Sequence, residues 1–487
     1  MRVAIGLGAL LILVPAAGAA TLTVGPGKTY SAPCAAFGDA QPGDTVEIDA
    51  SGDYAGDVCA FDVDDLTIRG VGGGRAKVDA TGVTIPNGKA IWVISGDHNT
   101  VENIEFMGAE VADANGAGIR GQAPNLTIRN CYFHDNQDGI LTGEDADGGE
   151  IRIEGSEFGH NGAGDGQSHN MYIGATGLFV LMNSYSHDPV GGHEVKTRAR
   201  ENHILYNRLM DEATGEGSYQ IDLAQSGTSY IIGNLIEKGP ASQNHSQLIR
   251  DECQGGCSPG HDLYVINNTF VNDEAHANAS TYVYLVLTGA SALPSPPPAV
   301  IRNNLFVGGG TVTNQTTALA DHNFEGDPLL ADQAGYDYHL LAGSPAIDQG
   351  IAPGSSTEGF DLTAVAEYVH PAASEPRSIA GSGIDLGAYE FGNDPNAGSS
   401  SSSGSTGGSA SGSTGSGSTG GSSGGSTSGA SSGSTGSGSA SGSSGTSSGG
   451  AAETSGCGCD TSGGPLGASF VLLLTGLAFG ARRRRAG

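Results

Sequence analysis

Short apolar runs recur along most of the chain, alternating with polar residues at period two, and each is followed by the same kind of turn. Eight segments carry the pattern. They are Asn103-Ile104-Glu105-Phe106, Asn130-Cys131-Tyr132-Phe133, Gly155-Ser156-Glu157-Phe158, Met182-Asn183-Ser184-Tyr185, Tyr206-Asn207-Arg208-Leu209, Gly233-Asn234-Leu235-Ile236, Asn267-Asn268-Thr269-Phe270 and Asn303-Asn304-Leu305-Phe306. The second position reads Ile, Cys, Ser and then Asn five times, and the fourth is always large and apolar. Successive segments are 27, 25, 27, 24, 27, 34 and 36 residues apart. A unit that short has no core of its own, so its repetition predicts a stack of coils.

The runs themselves, such as Leu126–Arg129, Ile151–Glu154 and Leu263–Ile266, are rich in Val, Ile, Thr and Tyr and read as strands. No window outside the termini has a helical period, and 82 glycines favour turns over helices. The predicted fold is therefore all-β, a single-stranded right-handed parallel β-helix. Coils about 4.8 Å apart set each residue over its counterpart. Asn183, Asn207, Asn234, Asn268 and Asn304 are then expected to bond along the axis, Asn being suited to such turns. Phe106, Phe133, Phe158, Tyr185, Leu209, Ile236, Phe270 and Phe306 form a buried stack beside them. A β-sandwich, the competing reading, has no reason to repeat residue types at a constant offset.

A second set of apolar centres recurs at Ile119, Ile140, Ile173, Val195, Ile221, Ile249 and Leu285. With these pointing inward, alternation turns their flanks outward. The preceding flanks are Gly118, Gly139, Tyr172, Glu194, Gln220 and Leu248; the following ones are Arg120, Leu141, Gly174, Lys196, Asp222 and Arg250. The polar members fall in four adjacent coils, a patch roughly 15 Å long. His169-Asn170 and His193 enter the same strands, Tyr219 lies one coil on, and Arg198 follows Lys196 by two.

This patch has the groups for chemistry on a sugar acid. The catalytic candidates are Lys196, His193, Tyr219 and His169, and the substrate-binding candidates are Tyr172, Glu194, Arg198, Gln220, Asp222 and Arg250. In a β-elimination, Arg250 or Lys196 neutralises a uronate carboxylate. Then His193, His169, Lys196 or Tyr172 removes the acidified proton, and Tyr219 protonates the leaving oxygen. In a hydrolase, Glu194 and Asp222 act as paired carboxylates. Two further readings need no reaction: glycan binding alone, or a solvated surface on which Lys196 and Arg250 pair with Asp222. A binding module would offer exposed aromatic rings, and the chain has only Trp92 and thirteen Phe beside its tyrosines.

A net charge of −31 excludes a nucleic-acid partner and disfavours long-range attraction of any polyanion. Against that background Lys196, Arg198, Arg200 and Arg208 stand within thirteen residues. Residues 1–20, with Arg2, an apolar run and small residues ending at Ala19-Ala20, read as a signal peptide. The folded domain is expected over 21–394, and 395–456 is a Ser/Gly-rich linker with a reach of about 40 Å. Residues 457–487 hold Cys457 and Cys459, an apolar run Leu466–Ala481 that is short for a permanent span, and arginines 482–485. In an exported chain the cysteines invite disulfides. Cys34 with Cys59 would tie down the first coils, Cys253 with Cys257 would close a small loop, and Cys131 reads as a buried thiol. Asp62–Asp65 and the acidic run 144–150 are possible Ca²⁺ loops without strict loop spacing. No zinc spacing, nucleophile elbow or phosphate loop is present.

With these residues laid out, residues 22–391 resemble the bacterial right-handed parallel β-helix proteins of the pectate-lyase-like superfamily. The opening coils carry Cys34-Ala-Ala, Gly43-Asp44-Thr-Val-Glu-Ile48 and Leu66-Thr-Ile-Arg-Gly70. The end carries Tyr338-His-Leu340, Gly343-Ser-Pro-Ala-Ile-Asp348 and Asp385-Leu-Gly-Ala-Tyr-Glu390. The resemblance implies polysaccharide lyases, hydrolases, epimerases or phage-type adhesins. It also implies a basic catalytic residue, and often Ca²⁺, although the superfamily's metal-binding aspartates find no one-to-one match here. The tail is similar to the sorting signal of myxobacterial surface proteins. The expectation is a monomeric, exported protein with polysaccharide as its partner, held at the outer cell surface and attached to a membrane through the tail.

Overall fold

A computed structural model describes residues 18–143 and 148–393, and the chain is a right-handed parallel β-helix. Each coil gives one strand to each of three parallel sheets of 12, 10 and 10 strands. Within one coil, Leu126–Arg129 lies in the first sheet, Tyr132–His134 in the second and Asp138–Thr142 in the third. Coils stack in register, so that Phe106, Phe133 and Phe158 lie over one another with ring centroids 5.1 and 4.8 Å apart. The helix Pro33–Asp39 closes the N-terminal end, where Phe37 meets Phe61 and Trp92. Cys34 is bonded to Cys59 there, and Cys253 to Cys257 further on. Cys131 is a buried thiol that burial pushes up to about 12.

The turn from the first sheet to the second opens on a residue with positive φ, 48° at Asn130, 53° at Asn183 and 68° at Gly233. Asn and Gly accept that conformation most easily, which explains their recurrence. The residue after it occupies the ladder. Asn207 Nδ2 donates to Asn234 Oδ1 (3.0 Å), Asn234 to Asn268 (2.9 Å), Asn268 to Asn304 (3.0 Å) and Asn304 to Asn323 (2.9 Å). The fourth coil corrects the expected alignment by one residue. Asn183 is the turn residue, Ser184 sits in the ladder, and Ser186, not Tyr185, pairs with Phe158 and Leu209. A one-residue slip exchanges inside for outside. Tyr185 therefore leaves the core and packs against Tyr338, Tyr368 and Tyr389 of the closing segment.

Asn234→Ala is expected to destabilise the protein by about 3 kcal/mol or more, because buried donors and acceptors lose partners on both sides. Asn234 accepts from the backbone and side chain of Asn207 and donates to Asn268 and Ile204. Asn323→Ala, at the end of the ladder, should cost distinctly less. Denaturant midpoints of the two variants check this, and equal losses would mean that the ladder adds nothing beyond single bonds.

The third sheet is also offset from the expected alignment, here by two residues, which preserves the face. Its inward file is Ile119, Ile140, Met171, Val195, Ile221, Ile249 and Val283, with Ile173 and Leu285 at the next inward position. The closing segment lies against the other two sheets. Tyr338, Tyr368 and Tyr389 cover the second, and Leu362 and Ala364 pack on Tyr230 and Tyr264 of the first and on Tyr206 in the turn that leaves it. The outer face of the third sheet is left to carry the polar patch.

Among the described residues no helix is long and apolar enough to cross a membrane. The expected signal peptide (apart from 18–20), residues 144–147 of the acidic run, the linker and the tail with Cys457 and Cys459 lie outside the described residues. At the other expected Ca²⁺ loop, Asp64 accepts the backbone N–H of Asp97 (2.7 Å), and Asp62, Asp64 and Asp65 do not bring three donors together.

Candidate functional site

Register sets Arg120, Leu141, Tyr172, Lys196, Asp222 and Arg250 in one outward file across six strands of the third sheet. Three residues upstream of Leu141, Tyr172, Lys196 and Asp222 runs a parallel file of Asp138, His169, His193 and Tyr219. His169 and His193 stack at 4.6 Å, and His193 and Tyr219 at 4.8 Å. The backbone N–H of each coil reaches back to the side chain before it: His169 to Asp138 Oδ1 (2.8 Å), His193 to His169 Nδ1 (3.0 Å) and Tyr219 to His193 Nδ1 (3.2 Å). Those bonds fix the tautomers. Each Nδ1 accepts, so each neutral ring carries its proton on Nε2. Burial, then the neighbouring basic groups, holds both imidazoles well below their usual range. For His169 those neighbours are His193, Lys196 and Arg198; for His193 they are Lys196, Arg250 and Lys238.

Asp222 stands at the centre. Its Oδ2 lies 3.3 Å from Lys196 Nζ and 3.4 Å from His193 Nε2, while Oδ1 has no partner. Arg250 donates to Tyr219 Oη (2.7 Å) and to Glu252 (2.7 Å), with its guanidinium over the Tyr219 ring. Arg198 repeats the device two strands away, donating to Tyr172 Oη (2.8 Å) and to the carbonyl and side chain of Gln254 (2.9 and 2.7 Å). Gln254 sits in the loop closed by the Cys253–Cys257 disulfide. Lys196 Nζ lies 5.5 Å over the Tyr172 ring. Burial above all keeps the Tyr219 phenol protonated, against the pull of Arg250.

Eight of the ten residues singled out in the sequence meet on this face. Glu194 and Gln220 do not: both are fully buried and point inward. The chain bends as it enters the third sheet, so the residue before each inward centre also faces the interior. A Cβ on Gly118 would fall 2.7 Å from the Phe133 ring, and one on Gly139 2.9 Å from that of Phe158. Where Ser186 replaces the aromatic, the freed space takes Glu194, which accepts from Asn170 (2.8 Å) and from the Ser186 hydroxyl. Gln220 donates to Asp211 (2.9 Å) in the same interior. Glu194 and Asp222 thus lie on opposite sides of the wall and cannot flank one glycosidic bond, which removes the hydrolase pair.

Two acids that the sequence reading passed over join the site. Glu252, on Arg250, is raised to about 7, chiefly by burial and then by Asp222, with Arg250 opposing. Asp138 is also raised to about 7, by burial first and Asp165 second, while the His169 N–H and Arg120 oppose. Its offset from Ile140 matches that of His169 from Met171, a signal visible once the register is known. Asp138 and Arg120 line a cavity of about 360 Å³ that runs up to Tyr172 and includes Asp113, Asp165 and Gln167. Nε of Arg120 has no partner.

No family model matches the chain, and no curated protein matches it. Among solved structures it is similar to the crystal structure of pectate lyase Pel9A, at 16% identity and a TM-score of 0.47. That match covers 77% of this chain and 98% of that one.

Proposed function

We propose that the outer face of the third sheet binds an acidic polysaccharide and cleaves it by β-elimination. The observation that carries this reading is the collection of Arg120, Lys196, Arg198 and Arg250 on one face of a protein with net charge −31. Arg120 and Arg198 have no carboxylate within ion-pair distance among the described residues. A cationic strip five coil steps long, roughly 25 Å, interleaved with tyrosines and neutral imidazoles, suits several residues of a uronate polymer. It acts at contact range, since the net charge repels polyanions from afar.

In this reading Arg250 and Arg198 face the uronate carboxylate and withdraw charge from it, which acidifies the α-proton. Lys196, acting in its free-amine form, takes that proton on Nζ and becomes the ammonium. The electron pair of the broken C–H bond becomes the new C=C bond, the β-carbon–oxygen bond breaks, and Tyr219 gives its proton to the departing oxygen. Arg250, 2.7 Å from the phenol oxygen, stabilises the phenolate left behind. His193 and His169 position the others: their Nδ1 atoms are engaged by backbone, so neither offers a lone pair to the substrate.

The full chain should release unsaturated uronate ends, read by their ultraviolet absorbance, from at least one of pectin, alginate, chondroitin and related polymers. No product on any of them, with glycan-array binding to acidic polymers retained, would replace the lyase by a binding protein. The locked imidazoles favour that second reading.

A further inference from the structure

Two loops converge at the corner between the second and third sheets, C-terminal to the proposed groove. Residues 239–246 lead into the strand Gln247–Asp251, and residues 273–280, with the short turn Ala277–Ala279, lead into Thr281–Leu285 in the next coil. The first supplies His245 and the second Glu274 and His276. His245 Nδ1 lies 2.8 Å from Glu274 Oε2, and His276 Nδ1 lies 3.8 Å from the same oxygen. One donor atom from each of the three falls within 4.8 Å of the others. The Glu274 side chain is 0% exposed, whereas the imidazoles are 44% and 66% exposed.

We propose that His245, Glu274 and His276 bind a divalent transition metal of the zinc type, which clamps these two coils together. Donors 2.0–2.1 Å from a tetrahedral ion lie about 3.3 Å from one another, and the observed spacings bracket that value. Two imidazoles with one carboxylate form a standard zinc donor set that leaves a fourth position for water. The exposed rings place that position at the surface. The carboxylate is held as a ligand would be: the Ser280 hydroxyl donates to Oε1 (2.8 Å) and the His276 backbone N–H to Oε2 (2.8 Å). A solvated ion pair needs one imidazole near an exposed acid. It does not bring two rings to a single oxygen of a buried one.

In the other cluster of this kind, His160, His187 and Asp188, the buried central ring is already flanked by two carboxylates. Burial opposes charge on His187, but Asp188 and Glu157 raise it to about 9, and its nitrogens face those carboxylates at 3.0 and 3.7 Å. A protonated imidazole has no lone pair for a metal.

The test is titration of the full chain, freed of metal with a chelator, with Zn²⁺ by calorimetry and with Co²⁺ by absorption. One equivalent should bind with the Co²⁺ spectrum of nitrogen and oxygen ligands. The absence of a thiolate charge-transfer band separates the site from Cys457 and Cys459. Affinity should fall about 100-fold in His245→Ala and in Glu274→Gln, and about 10-fold in Ser280→Ala, which only orients the carboxylate. Glu274→Gln keeps the shape of the buried side chain, and His245 lies on a surface loop. Unchanged melting of both variants in chelator shows that their fold is intact. Zn²⁺ affinity retained in those two variants, or no Zn²⁺ bound by the unaltered chain, would overturn the proposal.

Discussion

Lys196→Met is expected to lower kcat/KM on the cleaved polymer by about 10³-fold, with most of the loss in kcat. A positioned base contributes about 10²–10⁴ in rate, and Lys196 is the only amine on the outward file. Its Nζ lies 3.3 Å from Asp222 and over the face of Tyr172, so its reach is fixed by two neighbours. Lys196→Arg separates charge from basicity: guanidinium retains the cation and the contact with Asp222 but does not shed a proton. The arginine variant should therefore be nearly as slow as the methionine variant while binding the polymer more tightly. His193→Ala should lose only about 10-fold, because the ring acts through its Nε2 proton on Asp222. If Lys196→Arg were active and His193→Ala were not, the proton would be leaving through an imidazole instead of the amine, and the tautomers read from the backbone bonds would have to reverse in the complex.

The fold was legible because coil stacking turns a sequence offset into a spatial neighbour. Asn207, Asn234, Asn268 and Asn304 are each 27 to 36 residues from the next and form one hydrogen-bonded row. The failures were failures of register. At Asn183-Ser184-Tyr185 both neighbouring alignments place Asn or Ser in the ladder and a Tyr nearby, so residue type alone could not choose. The tyrosines of the closing segment, more than 150 residues away, did. The two-residue offset in the third sheet was harmless for the opposite reason: period two returns the same face, and the cationic file survived it. Glu194 and Gln220 were misplaced because alternation was assumed to hold through a corner, where the bend turns two successive residues inward. Asp138 and Glu252 escaped notice because their chemistry comes from burial beside specific charges, which no local pattern encodes.

Asp251→Asn is expected to stabilise the protein, and by an amount that grows with pH. Asp251 follows Arg250 on the inward side of the strand Gln247–Asp251 and is buried in the interior of the coil. Burial first, then the charges of Asp222 and Glu252, raises its carboxyl to about 8, with Ser226 opposing. An unfolded aspartate titrates near 3.9. The native state thus favours the protonated acid, and that contribution to stability is complete below about pH 4 and is lost as the pH rises through 8. Each pH unit in that interval costs about 1.4 kcal/mol, and asparagine, which does not titrate, avoids the loss. The difference in unfolding free energy between variant and wild type should therefore widen by roughly 3–4 kcal/mol between pH 5 and pH 8, read from denaturant unfolding of both proteins at each pH. The comparison cancels the opposite trend of His169 and His193. Those rings are held neutral, so they lose stability as the pH falls below about 6.5, and they do so equally in both proteins. A difference that stays flat from pH 5 to pH 8 would mean that Asp251 keeps one charge state throughout. An ionised aspartate behind Arg250 would then add a fixed negative charge beneath the site and weaken the cationic file on which binding of an acidic polymer rests.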